Sequence, residues 1–146
     1  MKLTNYTDYS LRVLMYLALK KEEELTTIQE IAEAYNISKN HLMKIIHHLG
    51  KLEYIVTIRG RNGGFRLARH PKDINIGEVV SNTEDDFNIV DCFKEGGGYC
   101  AISPSCKLKF ALNEALQAFI NVLNGYTLED LVTNKSDLLG LFRLQD

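Results

Sequence analysis

The segment ISKNHLMKIIHHLGKLEYIVTIRGRNGGFRLAR, residues 37–69, decides the fold. Ser38 stands where a helix needs an N-cap, and Leu42, Ile45, Ile46 and Leu49 recur at helical spacing as one buried stripe, up to Gly50. That helix leaves Lys39, Asn40, His41, Lys44 and His48 for an exposed, basic side. YIVTIRGRNGGFRLA, residues 54–68, then reads as a hairpin: two β-rich apolar runs around an Asn62-Gly63-Gly64 turn. Arg59, Arg61, Arg66 and Arg69 decorate it.

Upstream, Thr26 and Thr27 offer N-caps, with Gln29 and Glu30 as capping-box partners. The helix they open presents Ile28, Ile31, Ala32 and Tyr35 to a core, and Asn36-Ile37-Ser38 breaks it. Two short helices joined by a tight turn, the second basic outside and followed by an arginine hairpin, spell a winged helix-turn-helix. Before them, Thr7 to Leu19 is a further predicted helix with Leu11, Leu14, Leu17 and Ala18 on one face. Asp8 and Arg12 fall four apart on it and are expected to pair, with Asp8 as a first-turn acid favoured by the helix dipole.

Charge follows the same division. Residues 1–75 carry twelve Lys/Arg against eight Asp/Glu, and residues 76–146 five against eleven, so a net charge of −2 conceals a basic half and an acidic half. From Asn36 to Lys72 there are eight Lys/Arg and one acid, Glu53. Such a block faces a polyanion, and the winged module makes that polyanion double-stranded DNA. Lys44 and the wing arginines Arg59, Arg61, Arg66 and Arg69 are placed to hold phosphate, Lys39 and Asn62 stand with them on the DNA-binding surface, and Ser38, Asn40 and His41 sit where base edges are read. An arginine at the wing tip can also enter the minor groove of A·T-rich DNA.

Downstream, INIGEVVSN predicts one short helix, and a long one is expected from about Cys106 to Leu123 with apolar residues on more than one face. So much apolar surface on one helix of a small protein implies a partner. TLEDLV, capped by Thr127, predicts a short helix, and LLGLFRLQ a helical tail. The expected organisation is a winged helix-turn-helix domain over residues 1–80, a cysteine loop over 81–107, and a dimerisation helix with its tail over 108–146. The fold class is therefore mainly α with a small β-hairpin wing. A composition of 45% apolar and 25% charged residues excludes a disordered chain. No signal peptide or membrane-spanning run is read, so the expected compartment is the cytoplasm.

All three cysteines lie in CFKEGGGYCAISPSC, residues 92–106, spaced C-x7-C-x5-C with Gly96, Gly97 and Gly98 in the first gap. Glycine-rich backbone makes a poor core element but folds sulfurs inward around an ion or cluster. Three thiolates are one ligand short of a tetrahedral or cubane site, and no histidine lies beyond His70 to complete a zinc site. A thiol redox switch using two of the three remains open. Nothing resembles a substrate-pocket signature, so a small redox enzyme is disfavoured against a regulator.

LTNYTDYSLRVLMYLA, the helix and GRNGGFRLAR wing, DINIGEVV, and TEDDFNIVDC together resemble the winged-helix iron–sulfur transcription regulators, the family that includes IscR, and within it the nitric-oxide-responsive branch. The resemblance covers the chain up to about Asp130. It implies a homodimer paired through the long helix, a palindromic operator, and a 4Fe–4S cluster (rather than 2Fe–2S) on Cys92, Cys100 and Cys106. DNA affinity is expected to be lost when nitric oxide attacks the iron. One branch uses a histidine where Lys109 stands here, and another a histidine where Arg12 stands. The nitric-oxide branch has an aspartate at the position of Asp8, reaching across the dimer, which the resemblance makes the fourth ligand. The x7 gap departs from the x5 common in the family, and Gly96 to Gly98 are placed to absorb the extra residues. The competing reading is a cluster-free winged-helix regulator responding through thiol oxidation or a partner protein.

Overall fold

Leu42, Ile45, Ile46 and Leu49 are all buried, and the helix they define packs where the sequence places it. The structure, a computed structural model, describes residues 1–144. Its elements are α1 (Asn5–Leu19), α2 (Ile28–Tyr35), α3 (Lys39–Lys51), β1 (Ile55–Ile58), β2 (Gly64–Leu67), α4 (Ile76–Thr83), α5 (Lys107–Asn124) and α6 (Lys135–Phe142). This is a mainly α fold with a two-stranded antiparallel wing.

Side-chain oxygens cap the helices as their sequences require. Thr4 accepts from the Thr7 N–H at 3.2 Å, Thr27 from Glu30 at 3.2 Å, Ser38 from His41 at 3.3 Å and Asn75 from Glu78 at 3.0 Å. The expected capping box on α2 is incomplete, because the Glu30 carboxylate turns away. It accepts from the Tyr16 hydroxyl at 2.8 Å and pairs with Lys20 at 2.6 Å. Thr26 does not cap either: it exchanges both backbone hydrogen bonds with Phe65, at 2.9 Å each, and adds a third rung at the base of the wing.

β1 and β2 pair from Ile55↔Leu67 to Ile58↔Gly64. The wing turn is therefore Gly60 to Gly63, closed by a 3.0 Å bond from the Gly63 N–H to the Gly60 carbonyl, and lies earlier than the expected Asn62-Gly63-Gly64. Gly60 takes a φ of +119°, open to glycine, while Gly64 is spent on the strand, where a Cβ would stand 2.7 Å from the Thr26 carbonyl oxygen.

α1 runs through the middle. Leu14 and Leu17 are buried as expected and Leu11 and Ala18 half-buried, but Thr7, Ser10, Val13, Tyr16 and Leu19 are buried too. The wider burial follows from neighbours on several sides: α3, α4, β2 and α6 all pack against α1.

α5 leaves this core along α4. Its end approaches so closely at Gly77 that any Cβ there would collide with Asn124, and the Asn75 amide donates to the Asn124 carbonyl at 2.7 Å. The chain then returns: Leu128 is fully buried. TLEDLV is not an α-helix but a single 3₁₀ turn, Asp130–Val132. Thr127 nevertheless caps that turn as expected: its Oγ1 accepts from the Asp130 N–H at 3.4 Å and its own N–H donates to the Asp130 carboxylate at 2.8 Å, while its backbone bridges to Asn75. The helical tail exists but begins earlier than LLGLFRLQ, at Lys135; Gln145 lies outside the described residues.

Candidate functional site

The outer side of α3 lies opposite its buried stripe. Asn40, Met43, Lys44, His47 and Lys51 share it, and all are exposed, Met43 at 57%. Met43 escaped the sequence reading; the signal that finds it is its place off the stripe of Leu42, Ile45, Ile46 and Leu49, on the side shared with Asn40 and His47. Lys39 is exposed beside this stripe, and Ser38 is exposed with its oxygen committed to the cap. His41 and His48 instead lie on the flank facing α1, their rings 6.3 Å from Tyr9 and 5.6 Å from Tyr6.

On the wing, Arg59, Arg61 and Asn62 are exposed around the turn, and Arg66 is half-buried on β2. Arg69 is turned inward. It donates to the Glu53 and Leu52 carbonyls at 3.2 and 3.3 Å and stacks on the Tyr54 ring at 4.5 Å. Its charge thus braces the helix–strand corner, leaving Arg59 and Arg61 as the reaching cations.

Between α4 and α5 the chain has no strand or α-helix, only short 3₁₀ turns at Asp91–Phe93 and Ser103–Ser105. Cys92 and Cys106 are half-buried, Cys100 is exposed, and none is in a disulfide. Cys92 and Cys106 line one cleft of about 650 Å³ with Phe87, Phe93, Pro104 and Phe110. Cys106 is also the N-cap of α5: its Sγ accepts from the Lys109 N–H at 3.4 Å, which fixes the direction of the sulfur. Cys100 stands outside the cleft lining, after the three glycines.

Asp8 lies elsewhere, on the first turn of α1, in an ion pair with Arg12 at 2.8 Å. The Arg12 guanidinium sits over the Tyr9 and Tyr35 rings, 5.6 and 5.9 Å from their centroids. Among the described residues no three or more His, Cys, Asp or Glu side chains converge as a metal site. The donor set nevertheless suits a thiolate-bound group. Three unpaired thiols share one loop, two of them face one cleft, and the third follows backbone that glycine leaves free to fold inward. No helix among the described residues is long and apolar enough to cross a membrane.

Comparison with known proteins agrees with this geometry. A model of the Rrf2 family, described as an iron-dependent transcriptional regulator, matches residues 3–134. The chain is 61% identical over 146 residues to the HTH-type transcriptional regulator NsrR of Bacillus subtilis (strain 168), covering 100% of both. Among solved structures it resembles that of CymR (YrzC), the global cysteine regulator of B. subtilis, with a TM-score of 0.70 and 26% identity over 92% of this chain and 98% of that one. It also resembles T. potens IscR in fold, with a TM-score of 0.73 at 22% identity, covering 94% of this chain and 90% of that one. With the family model spanning most of its length, the chain belongs to the Rrf2 family of transcriptional regulators and is not an enzyme.

Proposed function

We propose that this chain is a homodimeric, DNA-binding repressor whose affinity for a palindromic operator depends on an iron–sulfur cluster and is relieved by nitric oxide. The cluster, of the 4Fe–4S type, is held by Cys92, Cys100 and Cys106, with Asp8 of the partner subunit as the fourth ligand. The observation that carries the reading is the junction at Cys106, where the thiol loop becomes α5. That helix has no fully buried residue, and Leu108, Phe110 and Val122 are 62%, 78% and 62% exposed. A second copy of α5 would cover this surface and set two α3 helices in a two-fold arrangement, which a palindrome matches.

In the DNA complex, Lys39, Lys44, Arg59, Arg61, Asn62 and Arg66 hold phosphates, while Ser38, Asn40 and His41 meet base edges at the first turn of α3. In the sensing site, a bound cluster would supply iron that takes up nitric oxide most readily where a carboxylate oxygen is its weakest ligand. This chain's residues do the rest. Cys92 and Cys106 hold from the cleft, and Cys100 swings in on Gly96 to Gly98. Asp8, paired with Arg12 in this structure, would hold the remaining position. With Asp8 on Arg12 and the loop released, Cys106 would keep its N-cap bond to Lys109, but the first turn of α5 would no longer be tied to the other two thiols. The balance then moves from DNA-binding to non-binding dimers. The iron-dependence in the family's description and the name carried by the B. subtilis relative support this reading.

The test is the iron and acid-labile sulfide content of protein purified without oxygen, alongside Cys92→Ser, Cys100→Ser and Cys106→Ser. Iron and sulfide in equal amounts in the parent, lost in each variant without loss of fold, is the expected result. A colourless parent whose DNA affinity follows thiol oxidation would instead make it the cluster-free regulator.

A further inference from the structure

We propose that the C-terminal helix α6 belongs to the DNA-reading apparatus, with Phe142 as a positioning residue that holds the turn of the helix-turn-helix through Tyr35. The Phe142 ring stands edge-on to two tyrosines, 5.1 Å from Tyr35 at 78° and 5.2 Å from Tyr16 at 77°. Those two rings are themselves 6.2 Å apart at 64°, so the three close a ring triad joining α1, α2 and α6.

Tyr35 is the last residue of α2. Immediately after it, Asn36 takes the left-handed conformation (φ 53°, ψ 50°), Ile37 is buried with its N–H on the Ala32 carbonyl at 3.1 Å, and Ser38 caps α3. The angle between α2 and the DNA-reading helix is thus fixed within three residues of Tyr35. Tyr35 is itself held at both ends. Its hydroxyl donates to the Arg12 carbonyl at 2.9 Å, and its ring is gripped by Phe142. Burial raises the hydroxyl's pKa to about 12, so it remains a donor across the physiological range.

Phe142 is not the anchor of α6. Leu139 is the buried side chain of that helix, at 6% exposure, and keeps it docked when Phe142 is changed. Removing the Phe142 ring therefore frees Tyr35, and the α2–α3 turn with it, without detaching the helix. The expected defect is in placing α3 on base edges, a loss of selectivity, because phosphate contacts tolerate small displacements and base contacts do not.

The experiment compares the full-length protein with Phe142→Ala, Phe142→Leu and Tyr35→Phe. The probes are the duplex that the wild-type protein enriches from a randomised pool, and random-sequence duplex of equal length. Each variant is expected to bind the selected duplex about tenfold more weakly while its affinity for random duplex changes by less than about twofold. Combining Phe142→Ala with Tyr35→Phe should cost little more than either alone, because both break one linkage. Wild-type selectivity in Phe142→Leu would reduce Phe142 to apolar filling and overturn the proposal; so would equal losses on both probes. If Phe142→Ala fails to fold, the other two variants decide. The inference rests on DNA reading by α3: a wild type with no preference for any duplex sinks that reading, whereas a selective wild type with equally selective variants sinks only the role of Phe142.

Discussion

Asp8 and Arg12 are joined twice across one turn of α1: Nη2 lies 2.8 Å from one carboxylate oxygen, and Nε donates to the other at 3.1 Å. The pair is easily exchanged. Both side chains are more than two-fifths exposed, at 42% and 43%, and such a helical pair contributes only about 0.3–0.5 kcal/mol. A carboxylate held so lightly can leave the guanidinium for iron at small cost.

Asp8→Ala is therefore expected to leave thermal unfolding nearly unchanged while altering the visible spectrum of the cluster and its reactivity toward nitric oxide. Asp8→Cys should give a cluster that reacts more slowly, because thiolate replaces a weaker oxygen ligand. Stopped-flow absorbance under anaerobic conditions measures both. A native spectrum and native reactivity in Asp8→Ala would return Asp8 to a surface ion pair.

Cys106 has two roles that one substitution can separate. Serine keeps an N-cap acceptor on α5 but removes the thiolate, so Cys106→Ser should lose the cluster and keep its helix. Cys106→Ala loses both, at a further cost of about 0.5–2 kcal/mol from the missing cap. Denaturant unfolding of the two cluster-free variants side by side gives the difference, and equal stability would show that a side-chain acceptor at position 106, where Sγ now takes the Lys109 N–H, contributes nothing to α5.

The α3 side chains and the wing arginines should fail differently on DNA. Replacing Arg59 and Arg61 by alanine is expected to weaken binding to every duplex and to flatten the dependence of log affinity on log salt by about one unit for each phosphate no longer neutralised. Asn40→Ala should instead cost about 1–3 kcal/mol at particular base pairs, leaving the salt slope alone. Titrations at several salt concentrations, on matched and mismatched duplexes, separate the two.

Val122→Glu on α5 is expected to yield a folded monomer that binds DNA weakly. Val122 is 62% exposed in the single chain, and a surface change of this kind moves monomer stability by about 0.5 kcal/mol or less. Sedimentation velocity reports the association state and far-UV circular dichroism the fold. A dimer that survives this substitution would place the interface elsewhere.

Much of this architecture is legible in the sequence because it is local. The stripe Leu42, Ile45, Ile46 and Leu49, the Ser38 cap and the Asp8–Arg12 spacing are each set by residues within a few positions of one another. What the sequence hides is set by distant partners. Thr26 reads as a cap until Phe65, far along the chain, claims its backbone. TLEDLV has a helical composition and its Thr127 cap forms, yet around the fully buried Leu128 the backbone closes only bonds three residues back and makes a single 3₁₀ turn. The Phe142 contacts with Tyr16 and Tyr35 carry no periodic signal at all. The candidate site divides in the same way. The thiol loop and the basic module stand out in sequence, whereas the apartness of Asp8 from the cysteines within one chain appears only in three dimensions.

The most direct test follows one anaerobic sample through two readings, visible absorbance and binding to the wild-type-selected duplex, as nitric oxide is added stepwise. The account predicts a coloured dimer that holds this DNA tightly at the start, with cluster absorbance and DNA binding falling together over the same range of added nitric oxide. Cluster absorbance that bleaches while DNA binding stays constant, or a colourless protein with stoichiometric zinc, would contradict it.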